Sequence, residues 1–328
     1  MPELIIFIFI SIFSFFLTYL YKNWAIKQSI LDIPNERSSH LMPVPRGGGV
    51  AMVISFYIGL LFLYLIGRVD NELFFALLPG IVLTVMGLMD DLKDLKPIVR
   101  FSGQFLCSGV TLYLLGGFDG LFGINMLWIW SFIALFGIVW FINLFNFMDG
   151  SDGYASMEAI TIAMVLWYFT RMNLLLLLTF SICGFLYWNW PKAKIFMGDS
   201  GSTTLGFILV VFGIYFQNKD TLSISIWILI TALFWFDATI TLIHRILKGE
   251  RISKAHKNHM YQRAIQSGFS HLKTMLLGFG INILLFIICI FVWKGLSTFL
   301  AGLLVTLAIL WLVMKYIDRK YTFKSNYL

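Results

Sequence analysis

The stretch "NFMDGSDG" sets Asn146, Asp149 and Asp152 three residues apart. On a helical end that spacing stacks the three side chains on one face. Two more acidic groups accompany it. "DDLKDLKP" gathers Asp90, Asp91 and Asp94, carboxylates that repel one another unless a cation or a proton offsets them. "FMGDSGS" sets Asp199 between glycines. Hard oxygen donors collected from several connections suit Mg²⁺, which usually binds one or two carboxylates plus substrate phosphate. The glycines let backbone N–H groups approach a phosphate at a helix N-terminus. Basic residues alongside (Arg37, Arg46, Lys93, Lys192, Lys194, Arg251 and Lys254) could balance an anionic substrate.

Each motif alone has a plainer reading. Asp near a helix end is often only a cap. "GDSG" is a serine-protease signature, but here it borders a membrane helix. His256 and His259 have no Cys or Glu pattern to complete a zinc site. "RGGGV" lacks the order and the preceding strand of a dinucleotide loop, and "DGSDG" does not continue into a calcium loop. Cys107, Cys183 and Cys289 lie inside apolar runs without CxxC spacing and are expected to be small core residues. The argument rests on the motifs occurring together.

The elements that must position them follow from composition. Of 328 residues, 59% are hydrophobic and 12% charged, too few polar groups to cover a soluble protein. Apolar runs of about 18 or more residues recur from end to end. The expected fold is an all-α polytopic membrane protein of about eleven transmembrane helices. They run near 4–21, 48–66, 73–89, 98–116, 126–145, 155–170, 173–190, 202–216, 222–243, 273–293 and 296–314. The first run lacks a basic flank and a cleavage site and is read as a retained helix.

All Lys and Arg except Arg68, Arg171, Lys219 and Lys294 fall in alternate connections and the tail, so these are expected in the cytoplasm and the N-terminus outside. The net charge of +7 expresses this bias and an attraction to anionic headgroups, and implies no nucleic acid. Every dense polar cluster lies on that same side, near 22–47, 90–97, 146–154, 191–201 and 244–272, within a single domain spanning 1–328. Asp237 and Glu158 lie inside apolar runs, where an ionisable group is costly and is expected to face a polar cavity. Asp237 and His244, seven apart, would share a helix face. Direct and structural roles stay open for Asp237 and Glu158.

At this point the residues resemble the polyprenyl-phosphate N-acetylhexosamine-1-phosphate transferases. The matching pieces are "DDLKD", "NLFNFMDGSDG", "FMGDSGS" and "AHKNHMYQR", in family order across nearly the whole chain. The loop "DIPNERSSHLMPVPRGGG" looks most like the branch that primes O-antigen or related polysaccharides with an amino sugar. The family's three-histidine motif is reduced here to His256 and His259.

The resemblance implies transfer of an N-acetyl amino-sugar 1-phosphate from a UDP-sugar to polyprenyl (undecaprenyl) phosphate, with UMP released. Asn146 and Asp199 would hold Mg²⁺, or Mn²⁺ in its place. Asp90 and Asp91 would sit beside the lipid phosphate, with Asp90 the candidate base. Asp149 and Asp152 would bind nucleotide or position their loop. Substrate contacts would come from Arg37, His40, Arg46, Lys93, Asn143, His256, His259 and Gln262. The expected location is the inner (cytoplasmic) membrane with the site facing the cytoplasm, and homodimerisation is left open.

A transporter is the main rival, but it would carry its carboxylates mid-span on several helices. An alcohol phosphatidyltransferase motif would continue "DG" with Ala-Arg and two further spaced Asp, which "DGSDGYASMEAITIAMV" does not.

Overall fold

The structure, a computed structural model, describes residues 2–34, 42–120, 126–250 and 256–322. Every apolar run of the sequence folds as helix. In chain order these are α1 (Pro2–Lys27), α2 (Gly49–Leu65), α3 (Asn71–Leu77), α4 (Pro79–Lys93), α5 (Pro97–Leu114), α6 (Leu127–Phe147) and α7 (Tyr154–Thr170). There follow α8 (Asn173–Asn189), α9 (Asp199–Asn218), α10 (Ile224–Ile230), α11 (Ala232–Leu247), α12 (Met260–Gln266), α13 (His271–Trp293) and α14 (Phe299–Lys320). Two two-residue strands, β1 (Leu31–Asp32) and β2 (Val44–Pro45), pair antiparallel.

Six of the described helical stretches are long and apolar enough to cross a membrane, and a bent pair makes a seventh. One of the six joins α3 and α4 across Leu78, where Pro79 opens α4. The seventh is α10 with α11, bent by 68° at Thr231. The apolar helices α2 and α8 are shorter, at 17 residues each.

At the centre stands α9, with 94% of its apolar window buried, whereas α1 and α14 bury 22% and 28% of theirs. The outer helices therefore present Leu, Ile, Phe and Trp outward, an arrangement stable only against lipid. With no water to drive it, helix association in lipid leans on close packing and interhelical hydrogen bonds. Ser14 Oγ of α1 accordingly donates to Ser181 O of α8 at 2.7 Å. Thr84 and Thr204 meet between α4 and α9 at 2.9 Å.

The two ends of the bundle differ in charge. At one end Arg68 pairs with Glu3 and Lys219 with Glu72, while Asp70 caps α3 and bonds Tyr215. The other end gathers the described parts of all the polar clusters.

Candidate active site

Asp90 and Asp91 close α4, which stops because Asp94 turns left-handed (φ 48°). Asp90 Oδ1 accepts from Leu95 N–H at 2.6 Å, fixing the exit of the chain into α5. Arg100, in the first turn of α5, donates to Asp90 Oδ2 at 2.7 Å and to Asp199 Oδ2 at 3.3 Å. One guanidinium thus offsets two carboxylates on different helices. Asp91 faces the other way. It is 4% exposed, and its oxygens accept from Asp199 N–H (3.1 Å) and Ser200 N–H (3.2 Å). A carboxylate at the positive N-terminal end of α9 is favourable and holds that end in place. The close approach needs Gly87: a Cβ there would lie 2.5 Å from the backbone of Asp199.

From the opposite wall α6 contributes two amides. Asn143 Nδ2 donates to Gln104 Oε1 (2.6 Å), and Asn146 Oδ1 accepts from Ser202 Oγ (2.6 Å). Arg100, Gln104, Asn143, Asn146, Asp199 and Thr203 line one open pocket together with Leu83, Met86, Gly87 and Phe147.

The expected stacking of Asn146, Asp149 and Asp152 on one helical face is not what the chain adopts. Helix α6 ends at Phe147, and the segment through Gly153 (φ 68°) is a turn. Only Asn146 lies on the helix and lines the pocket. Half-buried Asp149 has its acid pushed well above the usual carboxylate range, by burial first and then by Asp199, Asp91 and Asp152. Asp152 is braced differently. Its Oδ2 accepts from Lys192 and Ala193 N–H (3.0 and 3.1 Å), and Oδ1 stands 3.3 Å from His271 Nδ1. Burial opposes its ionisation, but His271 and the two amides outweigh it and hold the carboxyl below its ordinary value. Asp152 thereby ties the turn to the start of α13 and to the connection between α8 and α9.

His256 and His259 lie beside this turn, their rings 4.8 Å apart. Burial, then His259 and Arg245, push the His256 imidazole down to about 3, so it is neutral near pH 7. Its Nδ1 accepts from Asn258 N–H at 3.2 Å, which leaves the ring proton on Nε2. His259 is 3% exposed, at the start of α12, and its backbone N–H donates to Gln262 Oε1. Gln262 therefore closes its own helix start. Arg46 reaches exposed Asp94 at 3.6 Å, and Lys93 is exposed on the last turn of α4. Arg37, His40, Arg251 and Lys254 lie outside the described residues.

Among the described residues no three His, Cys, Asp or Glu form a metal cage. The open set present (Asp199, Asn146 and, across Arg100, Asp90) is all oxygen on two carboxylates and an amide, which fits Mg²⁺ completed by water and substrate phosphate. The sequence reading missed Arg100, Gln104 and Ser202. The first two were legible as polar residues at i and i+4 opening an otherwise apolar run.

The model of the family described as glycosyl transferase family 4 matches residues 73–217, the segment that carries Asp90, Asn146 and Asp199. A probable undecaprenyl-phosphate N-acetylglucosaminyl 1-phosphate transferase of Bacillus subtilis is 32% identical over 79% of this chain and 76% of its own length. An undecaprenyl-phosphate alpha-N-acetylglucosaminyl 1-phosphate transferase of Thermotoga maritima is 30% identical over 78% and 80%. A decaprenyl-phosphate N-acetylglucosaminephosphotransferase of Mycobacterium leprae is 28% identical over 88% and 80%. This chain belongs to glycosyl transferase family 4, among the polyprenyl-phosphate N-acetylhexosamine-1-phosphate transferases.

Proposed function

We propose that the protein transfers an N-acetylated amino-sugar 1-phosphate from a UDP-sugar to polyprenyl phosphate, with Mg²⁺ as cofactor, at the cytoplasmic face of the inner membrane. The product, a polyprenyl-pyrophosphoryl sugar, would start O-antigen or another cell-surface polysaccharide. One observation carries the reading: Asp90, Asp199, Asn146 and Arg100 converge from four helices at one bundle end, where a lipid headgroup and a soluble nucleotide can meet.

In this reaction an oxygen of the lipid phosphate attacks the sugar-bearing phosphorus of the donor. The bond from that phosphorus to the bridging oxygen breaks, and UMP leaves with it. The main obstacle is bringing two anions together, a task for positioned positive groups. Mg²⁺, held by Asp199 and Asn146, would neutralise charge on the pyrophosphate. Arg100 supplies a fixed cation between Asp90 and Asp199. Asp91 keeps the first turn of α9 against α4, so that Asp199 points into the pocket. His256, neutral with its proton on Nε2, can donate to a sugar oxygen.

UMP release by purified protein, measured against a panel of UDP-sugars with polyprenyl phosphate, tests the proposal. Turnover of a UDP-N-acetyl amino sugar that stops on chelation and returns with Mg²⁺ is expected. Absence of UMP release with every such donor would overturn it.

A further inference from the structure

We propose that Asp237 is a positioning residue that holds the histidine-bearing segment against the turn beside Asn146, and so governs how the donor is bound. The inference rests on the transferase reading above. It starts from cost. A carboxylate inside the apolar run of α10 and α11 is expensive unless its oxygens find donors. Asp237 is 2% exposed and its oxygens are fully engaged. Oδ1 accepts from Met260 N–H at 2.7 Å and from Thr241 Oγ1 at 3.2 Å, and Oδ2 accepts from Tyr261 N–H at 3.2 Å. His259 Nδ1 stands 3.6 Å from Oδ1.

The 68° bend at Thr231 sets the course of α11, whose second turn carries Asp237 to the start of α12. A helix of seven residues cannot hold itself together, and its first N–H groups have no partner within it. Asp237 satisfies two of them. The far side of α12 is held by Arg263, which donates to Asn258 O at 3.0 Å and pairs with Asp318 of α14.

What makes this more than a structural cap is the residue that follows. Tyr261, anchored by its N–H on Asp237, donates its hydroxyl to Phe147 O at 3.1 Å. Phe147 is the neighbour of Asn146 and lines the same pocket. Residue 150 must be glycine for this contact, because a Cβ there would lie 2.1 Å from the Tyr261 hydroxyl. The Tyr261 ring also stacks on Tyr154 (5.2 Å between centroids), the first residue of α7. One carboxylate on α11 thus sets the place of α12, of the His256–His259 pair and of the C-terminal end of α6.

Asp237→Asn replaces one acceptor oxygen with an amide N–H₂ that must face a backbone N–H. Measured with UDP-N-acetylglucosamine, apparent donor KM should rise about 10-fold or more, with a smaller fall in kcat and an unchanged polyprenyl phosphate KM. Hydrogen exchange at the amides of Met260 and Tyr261 should accelerate at least about 10-fold. A purely structural role would lower the melting temperature and the active fraction while leaving donor KM in place. A folded Asp237→Asn protein with wild-type donor KM and exchange overturns the proposal. Tyr261→Phe keeps the cap and the ring stacking and removes the hydroxyl that bonds Phe147 O and also meets Gly150 and Gln262. It should raise donor KM with the two amides still protected, and it carries the test should Asp237→Asn fail to insert. An unchanged donor KM in Tyr261→Phe would likewise overturn the proposal. If wild-type protein turned over no UDP-sugar, the exchange comparison would still read the positioning, so failure of one reading is distinguishable from failure of the other.

Discussion

Asp90 combines two features that pull its role in different directions: it ends a helix at the pocket, yet both its oxygens already accept N–H donors, from Leu95 and Arg100. A carboxylate so engaged is a poor proton acceptor. The acceptor phosphate has little need of one, since its second pKa is roughly 6 and it is largely dianionic near neutrality. The geometry supports Asp90 as the group that orients Arg100 against Asp199. Asp90→Asn is expected to lower kcat by about 10²-fold or more with donor KM little changed, and to stay equally depressed from roughly pH 6 to 9. Recovery at the alkaline end would restore the general-base role that the resemblance implied. The acidic residues of this site were legible because Asp beside Asp, or between glycines, is conspicuous in an apolar chain. Arg100 and Gln104 were passed over because they open a span and read as part of it, although their i, i+4 spacing marks one polar face. Asp237 was noticed for its cost, but its partners Met260 and Tyr261 are backbone amides that no side-chain pattern announces.

At the level of elements, the site depends on how closely α9 approaches α4. Gly87→Ala would drive a methyl into the backbone of Asp199 and Ser200, atoms that cannot rotate away. Overpacking of this kind costs about 1–3 kcal/mol, and here the displaced atoms include a pocket carboxylate. Gly87→Ala should therefore lose activity by about 10²-fold, more than its fall in melting temperature accounts for. Activity near wild type would mean that the approach has slack.

A second element-level joint is Asp152, which ties the turn to α13 through His271. Its carboxyl is held below its ordinary value, so the stability it contributes is present above the unfolded pKa of about 3.9 and is lost as pH falls through the folded value. Asp152→Asn should therefore melt earlier than wild type at pH 7, by the equivalent of about 1–3 kcal/mol. The gap should narrow as pH falls below roughly 4. A gap that does not vary with pH would show that the charge on Asp152 is immaterial. Helices were the most legible elements, because long apolar runs permit little else in lipid. The bend at Thr231 was invisible, since residues 224–247 contain neither Gly nor Pro. The break between the runs 126–145 and 155–170 was legible, but a spacing of three suggested a helical stack of Asn146, Asp149 and Asp152 that the turn up to Gly153 does not form.

For the whole molecule, the placement of charge and of the helix ends bears on which end of the bundle faces the cytoplasm and how many times the chain crosses. The end that holds Glu3 also holds Arg68 and Glu72, and there Arg68 and Lys219 are matched by carboxylates. The end of α14 lies instead beside α12, through Asp318 and Arg263. Helix α1 therefore begins at one end of the bundle and α14 finishes at the other, the arrangement an odd number of crossings produces. Basic residues near the ends of spans set orientation, and among the described residues all of them except Arg68, Arg171, Lys219 and Lys294 fall on the site-bearing side. The expectation is that this side, including the end of α14, is cytoplasmic, where a nucleotide-sugar donor is available. A reporter active only outside the membrane should work when fused after Asn218 and fail when fused after Thr322, and a cytoplasmic reporter should give the opposite pattern. Reporters on the same side at both positions would remove the eleven-span arrangement. A clean inversion would keep it but turn the pocket away from the cytoplasm, and the proposed donor could then not reach the site.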